Sequence, residues 1–378
     1  MVRPASYRAT SRDLAGLAPL RADHGTGLRG ASLGSLHRGG EFVFDPFAAY
    51  HAGLVTGPNV MILGRIGSGK SAVTKMMIRR AVTGGASAVV LDPKGEYSDL
   101  ASSLGGRVVT LGDAGWFHVV SGDVTDDLRV ICGLVGSARG RPLDDEETMK
   151  IEMYWRDSNA SEATRPLRTL LHWCQRNGEG TLASTVHRFV AGDLKGLIDG
   201  DDAPDELSHA ITVLNIERWW GTEAMATVAM LAWVIAERAL ATGAGHRFLV
   251  ADEAWSVLDN QASLLRLRGS LKLARASGTS HILILHRLAD LEAVGDVGSR
   301  HYAAALSLLR DCDSHFMFQA NEGDVTSLAR EFGLTDLEQR YLPALPRGAA
   351  LVRYGPHRSI VRFEPTEEDA VDTDRAMR

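Results

Sequence analysis

The sequence predicts an α/β fold in which a mostly parallel sheet is flanked by helices. Short apolar runs of the length of buried strands recur along the chain. One of them is followed by a glycine-rich turn and then by a run with helical periodicity. Polar or glycine-rich segments follow three of these runs, beginning at Gly64, Asp92 and Asp252. Because α/β proteins bind ligands at the carboxyl ends of their parallel strands, we expect these segments to face one edge of the sheet.

The bulk composition is that of a globular protein. The chain has 378 residues, of which 45% are hydrophobic and 23% are charged. Its formal net charge of -6 argues against a basic surface for nucleic acid, although a local basic channel is not excluded by it. The three cysteines lie far apart in the sequence, which argues against a disulfide framework or a zinc site and favours a reducing compartment.

No segment has the roughly 18 to 20 apolar residues that a membrane-spanning helix needs. The longest candidate, residues 225–236, is followed directly by Glu237 and Arg238. The N-terminus also lacks the apolar core of a signal peptide. We therefore expect a cytoplasmic protein, with any association with the inner face of the membrane made through partners.

One segment has the pattern of a phosphate-binding P-loop. After an apolar run, residues 64–71 read Gly-Arg-Ile-Gly-Ser-Gly-Lys-Ser. Glycines allow successive backbone N–H groups to point into one concavity, and the N-terminus of the following helix adds positive charge. Lys70 can reach the β- and γ-phosphates, and the Ser71 hydroxyl can bind Mg²⁺. We assign nucleotide contacts to Gly64, Arg65, Ile66, Gly67, Ser68, Gly69, Lys70, Ser71 and Ala72.

A second motif supplies the acidic residues of a nucleotide site. An apolar run over residues 248–251 leads into Asp252 and Glu253, as in a Walker B strand. At such a strand end, Asp252 would approach Mg²⁺, and Glu253 would orient or deprotonate the attacking water. The long interval between Lys70 and Asp252 is accounted for by a mostly helical insertion, in which we see no strand.

Between these motifs, residues 92–96 read Asp-Pro-Lys-Gly-Glu, after a second predicted strand over residues 86–91. Polar residues at the end of a strand beside the P-loop strand would be placed to contact nucleotide, metal or a neighbouring subunit. The alternative is a plain turn formed by Pro-Lys-Gly. We favour a functional segment and assign nucleotide contacts to Asp92 and Glu96.

Two further residues are candidates for the catalytic site. His286 follows an apolar run over residues 281–285, where many P-loop motors hold a γ-phosphate sensor; the alternative is a histidine that caps the strand end. Arg275 belongs to a basic stripe on an amphipathic segment over residues 262–276. It is either part of a solvated face or an arginine finger for the γ-phosphate of an adjacent subunit.

We divide the chain into a core, an insertion and two flanking segments. Residues 1–40, with six arginines against two aspartates, are predicted to be a flexible basic leader or an arm that docks an acidic partner. Residues 41–122 and 222–363 form the core, and residues 123–221 form an all-helical insertion. Residues 364–378 carry six acidic residues against two arginines and are predicted to be a disordered tail.

The insertion carries four tryptophans, and each has two interpretations. They could pack in the interior, or they could offer platforms on which nucleic-acid bases stack. We favour packing for Trp155, Trp173, Trp219 and Trp220.

These motifs together resemble the HerA–FtsK superfamily of ring-forming P-loop ATPases. Within it, residues 41–363 are most similar to the motor domain of conjugation-type (type IV secretion, VirB-type) ATPases. The resemblance rests on the order of the P-loop, the segment 92–96, the helical insertion, the Walker B motif, the segment 271–278 and the strand that ends at His286. Residues 92–96 discriminate best, because generic P-loop proteins lack this segment.

The resemblance implies a RecA-like core that uses ATP and Mg²⁺. It also implies a homo-oligomer, expected to be a hexamer, with nucleotide sites between subunits. An arginine from the neighbouring subunit would complete each site, and Arg275 and Arg310 are the candidates. One position departs from the family, because the sensor is usually Gln where this chain has His286, whose charge titrates near neutral pH.

The function implied by the resemblance is that of a ring-forming motor, in which ATP hydrolysis energises conjugative or type IV secretion-type transfer of DNA or protein. Its partners would be components of the secretion or conjugation machinery, with DNA as a further candidate. Two alternatives are a double-stranded DNA translocase of the HerA or FtsK kind and a non-hydrolysing nucleotide-binding scaffold. DNA-stimulated ATPase activity with a steep salt dependence would distinguish the first, and an assay of phosphate release would distinguish the second.

Overall fold

The protein is built on one large sheet. The computed structural model describes residues 27–112, 120–157, 166–198, 209–241, 245–258, 261–293, 295–296 and 298–371. Eleven strands of the described residues form the sheet. They are β1 (Ala31–Leu36), β2 (Glu41–Phe44), β3 (Val60–Leu63), β4 (Ser87–Asp92), β5 (Arg107–Thr110), β6 (Ile211–Asn215), β7 (Arg247–Ala251), β8 (Thr279–Leu285), β9 (Ser314–Phe318), β10 (Ala349–Tyr354) and β11 (His357–Phe363).

The sheet has a parallel part and an antiparallel part. Its spatial order is β2-β1-β11-β10-β9-β3-β8-β7-β4-β6-β5. The strands from β9 to β5 run parallel to one another. The other four, together with β9, pair antiparallel along one side. The predicted mostly parallel sheet is confirmed, and its central strands are continuous apolar runs because both of their faces are covered.

Fourteen α-helices in the described part of the chain flank the sheet. They are α1 (Pro46–His51), α2 (Lys70–Thr83), α3 (Ser98–Ser103), α4 (Val124–Arg139), α5 (Asp145–Asp157), α6 (Pro166–Arg176), α7 (Gly180–Val190), α8 (Met225–Ala241), α9 (Trp255–Leu258), α10 (Gln261–Ser277), α11 (Arg300–Arg310), α12 (Glu322–Phe332), α13 (Asp336–Tyr341) and α14 (Glu367–Val371). Short 3₁₀ segments lie at Glu217–Trp219, Leu288–Ala293 and Leu342–Ala344. Among the described residues, no helix is long and apolar enough to cross a bilayer.

The two faces of the sheet bury separate apolar clusters. On one face, α2 contributes Val73, Met76 and Ile78 to a cluster that includes residues of the antiparallel strands. On the other face, α8 lies between β4 and α4, so it is buried on nearly every side. Trp233 of α8 is among the largest fully buried side chains. A helix that is apolar all round is expected when it is covered on all sides.

The described residues between the start of α4 and the end of α7 form helices and short connections, as predicted. The Asp123 carboxylate accepts hydrogen bonds from two backbone N–H groups in the first turn of α4. The Asp144 carboxylate accepts one from the Glu147 N–H (2.8 Å) at the start of α5. These caps form because acidic side chains satisfy the first N–H groups of a helix, which have no partner within it.

The prediction that residues 123–221 contain no strand is wrong. β6 lies within this range and pairs in parallel with β4 on one side and β5 on the other. Ile211 and Val213 join the apolar cluster of one face, and Leu214 joins that of the other. Five residues carry too little periodicity to separate a buried strand from a helical turn, so the sequence pattern did not reveal this strand.

Part of the predicted leader belongs to the sheet. β1 pairs antiparallel with β2 and with β11, and Leu33 is buried between them. A Cβ atom on Gly34 would lie 2.1 Å from the carbonyl oxygen of Arg362, so this strand needs glycine there. The glycines and serines that suggested a linker thus serve close strand pairing, while residues 1–26 lie outside the described part.

The predicted disordered tail begins with a docked helix. α14 packs on α2, and the Asp369 side chain is 2% exposed. Its carboxylate accepts hydrogen bonds from the Arg80 guanidinium (2.7 Å) and from the N–H and hydroxyl of Thr366 (2.9 Å each). A buried carboxylate that pairs with α2 through one of its oxygens holds this helix on the core, and residues 372–378 lie outside the described part.

The prediction that β4 is the neighbour of the P-loop strand β3 is also wrong. β8 and β7 lie between them. The two strands are consecutive in the sequence, but the later strands β7 and β8 are inserted between them, and no local pattern indicates such an insertion.

Candidate nucleotide site

The P-loop connects the end of β3 to the start of α2. Gly67 and Gly69 have φ angles of 77° and 108°, in the left-handed region that favours glycine. Gly69 is the N-cap, so α2 begins at Lys70 and its first N–H groups face the loop. A Cβ atom on Gly64 would lie 2.5 Å from the Cβ atom of Phe318, which leaves no room for a side chain. The glycines therefore provide both the curvature and the close packing of a phosphate cradle.

The loop is also fastened from outside. The Arg65 N–H donates to the Gln319 carbonyl (2.9 Å), and the Gly348 N–H donates to the Ser68 carbonyl (2.9 Å). Gln319 follows β9 and Gly348 precedes β10, so both neighbours belong to the antiparallel side of the sheet. The loop is thereby preorganised by the tertiary structure.

Lys70 lies at the centre of the loop. Its Nζ donates to two loop carbonyls, at 2.5 and 3.1 Å, and to Nδ1 of His286 at 2.9 Å. Burial lowers the pKa of Lys70 to about 8, although the carboxylates of Asp252 and Glu253 act in the opposite direction. A buried ammonium at this position is suited to binding phosphate oxygens, because their negative charge would stabilise its charged form.

Asp252 follows β7 directly and is 4% exposed. Its backbone N–H donates to the Leu91 carbonyl of β4 (3.3 Å). Burial, together with the nearby carboxylates of Glu253 and Glu96, raises the pKa of Asp252 to about 6. A buried carboxylate among others favours a bound cation, and Ser71 in the first turn of α2 supplies the hydroxyl predicted for the same ion.

Glu253 has an unusual backbone conformation and a carboxylate with a hydrogen-bond partner on each oxygen. Its φ angle is 52°, and no other residue except glycine has a positive φ in the described part of the chain. Oε1 accepts from Lys94 and from Nε2 of His286, and Oε2 accepts from Nε1 of Trp255 (2.9 Å). Burial acts to raise the pKa of Glu253, but the hydrogen bonds from His286 and Lys94 prevail and lower it to about 2. Glu253 is therefore ionised.

His286 connects the P-loop to the acidic motif. Nδ1 accepts from Lys70, so Nε2 carries the ring proton and donates it to Glu253. The backbone N–H of His286 donates to Oδ2 of Asp290 (3.1 Å), which holds the strand end in place. The structure thus brings Lys70, His286 and Glu253 into one continuous set of hydrogen bonds.

The segment after β4 is organised by Asp92. The Asp92 carboxylate accepts from the backbone N–H groups of Lys94 (3.3 Å), Glu96 (3.1 Å) and Tyr97 (2.8 Å). Asp92 is fully buried and holds the turn, so the structure gives it a supporting role. Glu96 lies close enough to Asp252 to raise its pKa. The assignment of nucleotide contacts to Asp92 and Glu96 remains a prediction.

Three residues of the site were missed in the sequence. Lys94 forms an ion pair with Glu253, and its Nζ lies 5.6 Å from the centroid of the Trp220 ring. Trp255 donates to Glu253 and packs edge-on against Trp220, with the ring centroids 5.8 Å apart. Lys94 could have been noticed as the one cation of the discriminating segment 92–96. Trp220, predicted to pack in the interior, is 41% exposed.

The two candidates for the arginine finger, Arg275 and Arg310, lie at the edge where the parallel strands begin, opposite the P-loop. Arg275 is exposed near the end of α10, just before β8 begins. Arg310 ends α11 before β9 begins, and it pairs with Glu331. Because the P-loop lies where the parallel strands end, neither arginine is near the chain's own nucleotide site. A role for either in a neighbouring subunit remains a prediction.

The residues present fit a nucleoside triphosphate with Mg²⁺. The phosphate cradle is lined by glycines, and at Gly64 there is no room for a side chain. Lys70 extends along the loop and donates to its carbonyl groups. Oγ of Ser68 is buried and has no hydrogen-bond partner among the described residues, so it is free to donate to a phosphate oxygen. Those residues contain no group of three or more metal-ligating side chains. A P-loop Mg²⁺ site needs only one hydroxyl and one carboxylate, because water and phosphate supply the other ligands.

Similarity to known proteins agrees with this geometry. Residues 57–197 match the family described as "Helicase HerA, central domain". The structure of VirB4 of Thermoanaerobacter pseudethanolicus is 21% identical, with a TM-score of 0.78 over 90% of this chain and 98% of that one. The plasmid coupling protein TrwB in complex with a non-hydrolysable ATP analogue is 15% identical, with a TM-score of 0.59 over 90% and 94%.

TrwB in complex with ADP and Mg²⁺ is also 15% identical, with a TM-score of 0.58 over 82% of this chain and 86% of that one. No curated protein sequence matches this chain. At these identities the structural likeness establishes the fold, which is the RecA-like P-loop fold of VirB4 and TrwB. The predicted resemblance is confirmed for residues 57–197, which match the HerA central domain, and for the fold, which is shared with VirB4 and TrwB.

Proposed function

We propose that this chain hydrolyses ATP to ADP and phosphate with the help of Mg²⁺, and that it works as a ring-forming motor in conjugative or type IV secretion-type transfer. The observation that carries this proposal is the convergence of Lys70, His286 and Glu253 at the mouth of the P-loop. A site that only binds nucleotide needs the cradle and the lysine. It does not need an ionised glutamate joined to them through a histidine.

The P-loop residues bind and orient the substrate. Backbone N–H groups of residues 64–71 and the N-terminus of α2 would hold the phosphates, and Lys70 would neutralise the charge that develops on them. Ser71 and Asp252 would hold Mg²⁺, which supplies Lewis-acid stabilisation of the β- and γ-phosphate oxygens when bound. The close packing of the loop on β9 and β10 keeps these groups in place without reorganisation.

Glu253 and His286 act on the attacking water. Glu253 is ionised, so its oxygens can accept a hydrogen bond from a water and orient it in line with the γ-phosphate. His286 donates from Nε2 to Glu253 and accepts at Nδ1 from Lys70. A movement of Lys70 on phosphate would therefore shift the ring and the hydrogen bond that it donates to Glu253. This supports a sensor role for His286 in the place where relatives have Gln.

The proposed assembly is a homo-oligomer, expected to be a hexamer, in which a neighbouring subunit completes each site. Arg275 or Arg310 would provide the arginine in trans, because both lie on the edge of the sheet away from the chain's own P-loop. Partners would be components of the secretion or conjugation machinery, and VirB4 and TrwB provide the analogy. DNA is a further candidate partner.

A second candidate is a double-stranded DNA translocase of the HerA kind. The match of residues 57–197 to the HerA central domain favours it. An ATPase rate stimulated by duplex DNA, with a steep loss of stimulation as salt is raised, would select this alternative. A rate indifferent to DNA would favour the secretion motor.

The test uses two substitutions with different expected results. Lys70→Ala should weaken ATP binding and lower turnover by about a hundredfold or more, because the lysine contacts phosphate in both the ground and transition states. Glu253→Gln should keep ATP binding while lowering kcat by about a hundredfold or more. Phosphate release and nucleotide affinity are measured for both, together with native mass with and without ATP. Near-normal turnover in Glu253→Gln would refute the catalytic assignment, and no phosphate release from the assembled wild-type protein would favour a scaffold.

A further inference from the structure

Lys94 is the movable member of the contacts around Glu253. The Lys94 side chain is 30% exposed, whereas that of Glu253 is 2% exposed. The backbone N–H of Lys94 donates to the Asp92 carboxylate, which also accepts from the N–H groups of Glu96 and Tyr97, so the turn itself is anchored. The flexible four-carbon stem of Lys94 can nevertheless swing about this anchored point.

The other donors to Glu253 are less free. Trp255 begins α9 directly after the acidic motif, and its Nε1 donates to Oε2 of Glu253. His286 is held by the hydrogen bond between its backbone and Asp290. With Lys94 in place, Oε1 of Glu253 already accepts two hydrogen bonds and Oε2 accepts a third. A water would have to compete with Lys94 and His286 for Oε1 and with the indole N–H of Trp255 for Oε2.

A γ-phosphate bound at the P-loop would offer the Lys94 ammonium a second binding position near the first. Nζ of Lys94 is 3.1 Å from Nε2 of His286, and Nδ1 of the same ring is 2.9 Å from Nζ of Lys70. The two ammonium groups therefore stand on either side of one imidazole ring. A γ-phosphate bound by Lys70 would attract Lys94 with more negative charge than the single carboxylate of Glu253.

We infer that Lys94 is a latch on Glu253 that opens when a γ-phosphate occupies the P-loop. In the closed position it pairs with Glu253 and keeps that carboxylate from orienting water. In the open position it binds the γ-phosphate, and Oε1 of Glu253 becomes available to the attacking water. ADP, which lacks the γ-phosphate, leaves the latch closed. This inference rests on the proposed nucleotide site and specifies how that site is regulated.

Trp220 makes the latch observable. In the closed position the Lys94 ammonium lies over the Trp220 ring, which is partly exposed and packs against Trp255. Departure of the ammonium should change the emission of this indole. The difference between the fluorescence of the wild-type protein and that of Trp220→Phe isolates the signal of Trp220 from those of the other tryptophans.

The experiment compares ADP with a non-hydrolysable ATP analogue in binding and fluorescence titrations of the full chain. In the wild-type protein, the analogue should change Trp220 emission and ADP should not. In Lys94→Met this difference should vanish, and the preference for the analogue over ADP should fall by about tenfold, because a charged hydrogen-bond donor to the γ-phosphate is lost. Lys94→Arg should retain most of the preference. Lys195→Met removes an exposed lysine from the helical insertion and should behave as wild type.

The outcomes separate this inference from the proposed function. If Lys94→Met binds ADP normally and keeps the wild-type preference and Trp220 signal, the latch is wrong while the nucleotide site stands. If wild-type protein binds neither nucleotide, the proposed function fails as well. Should Lys94→Met not fold, the Trp220→Phe arm decides: an analogue response in the wild-type protein that persists fully in Trp220→Phe contradicts the inference.

Discussion

A buried histidine in the core should make this protein sensitive to acid. His281 of β8 is 1% exposed. Its Nδ1–H donates to Oδ1 of Asn59 (3.0 Å), and its Nε2 accepts from the hydroxyl of Ser270 (2.8 Å). The ring also stacks on Trp233, with the centroids 5.7 Å apart. These partners suit a neutral ring, and burial lowers the pKa of His281 to about 3.

The size of the effect follows from the difference between the folded and unfolded states. In the unfolded chain, a histidine titrates near its ordinary pKa of about 6.5. Because the folded pKa is lower, the unfolded state binds more protons in acid. The contribution of His281 to stability is fully present above about pH 6.5 and is lost as the pH falls towards about 3. At about 1.4 kcal/mol for each pH unit, the loss is about 2 kcal/mol at about pH 5.

Urea unfolding followed by circular dichroism at about pH 7.5 and about pH 5 measures this loss. His281→Asn keeps an N–H donor towards Asn59 but does not titrate, so it should lose about 2 kcal/mol less than the wild-type protein between the two pH values. His187→Gln, which replaces an exposed histidine of α7, serves as the matched control and should follow the wild-type protein. Equal losses in wild type and His281→Asn would refute the reasoning.

Two other substitutions test the packing around the site and the tail. Gly64→Ala should destabilise the P-loop and abolish nucleotide binding, because its Cβ atom would lie 2.5 Å from that of Phe318. The same change at Gly269, exposed within α10 with nothing within 4 Å, should raise stability by about 0.5 to 1 kcal/mol in a urea titration. Asp369→Ala should lower the free energy of unfolding by about 1 to 3 kcal/mol, because it leaves an arginine of α2 without its buried carboxylate. Glu368→Ala, one residue away and exposed, should change it by less than about 0.5 kcal/mol, and similar losses in both variants would contradict the docking of α14.

Local patterns predicted the parts of the site that are local in space. The P-loop could be read because strand, glycine turn and helix follow one another directly, so their chemistry is contiguous in the sequence. The strand before Asp252 and the strand before His286 could be read for the same reason. β1 and β6 could not be predicted in this way. β1 contains glycine and serine and resembles a linker, and the five residues of β6 resemble a helical turn, until the neighbouring strands are known.

Residue types and their spacing were enough to predict a parallel α/β core with a P-loop and an acidic motif, since they specify backbone curvature and charge. Which side chains meet at the site depends on the packing of the whole fold. This packing places β8 and β7 between β3 and β4, and this order brings His286 between Lys70 and Glu253. It also brings Lys94 onto Glu253 from a segment 159 positions away. Such contacts depend on strand order, which arises from the packing of the whole sheet and leaves no periodicity in the chain.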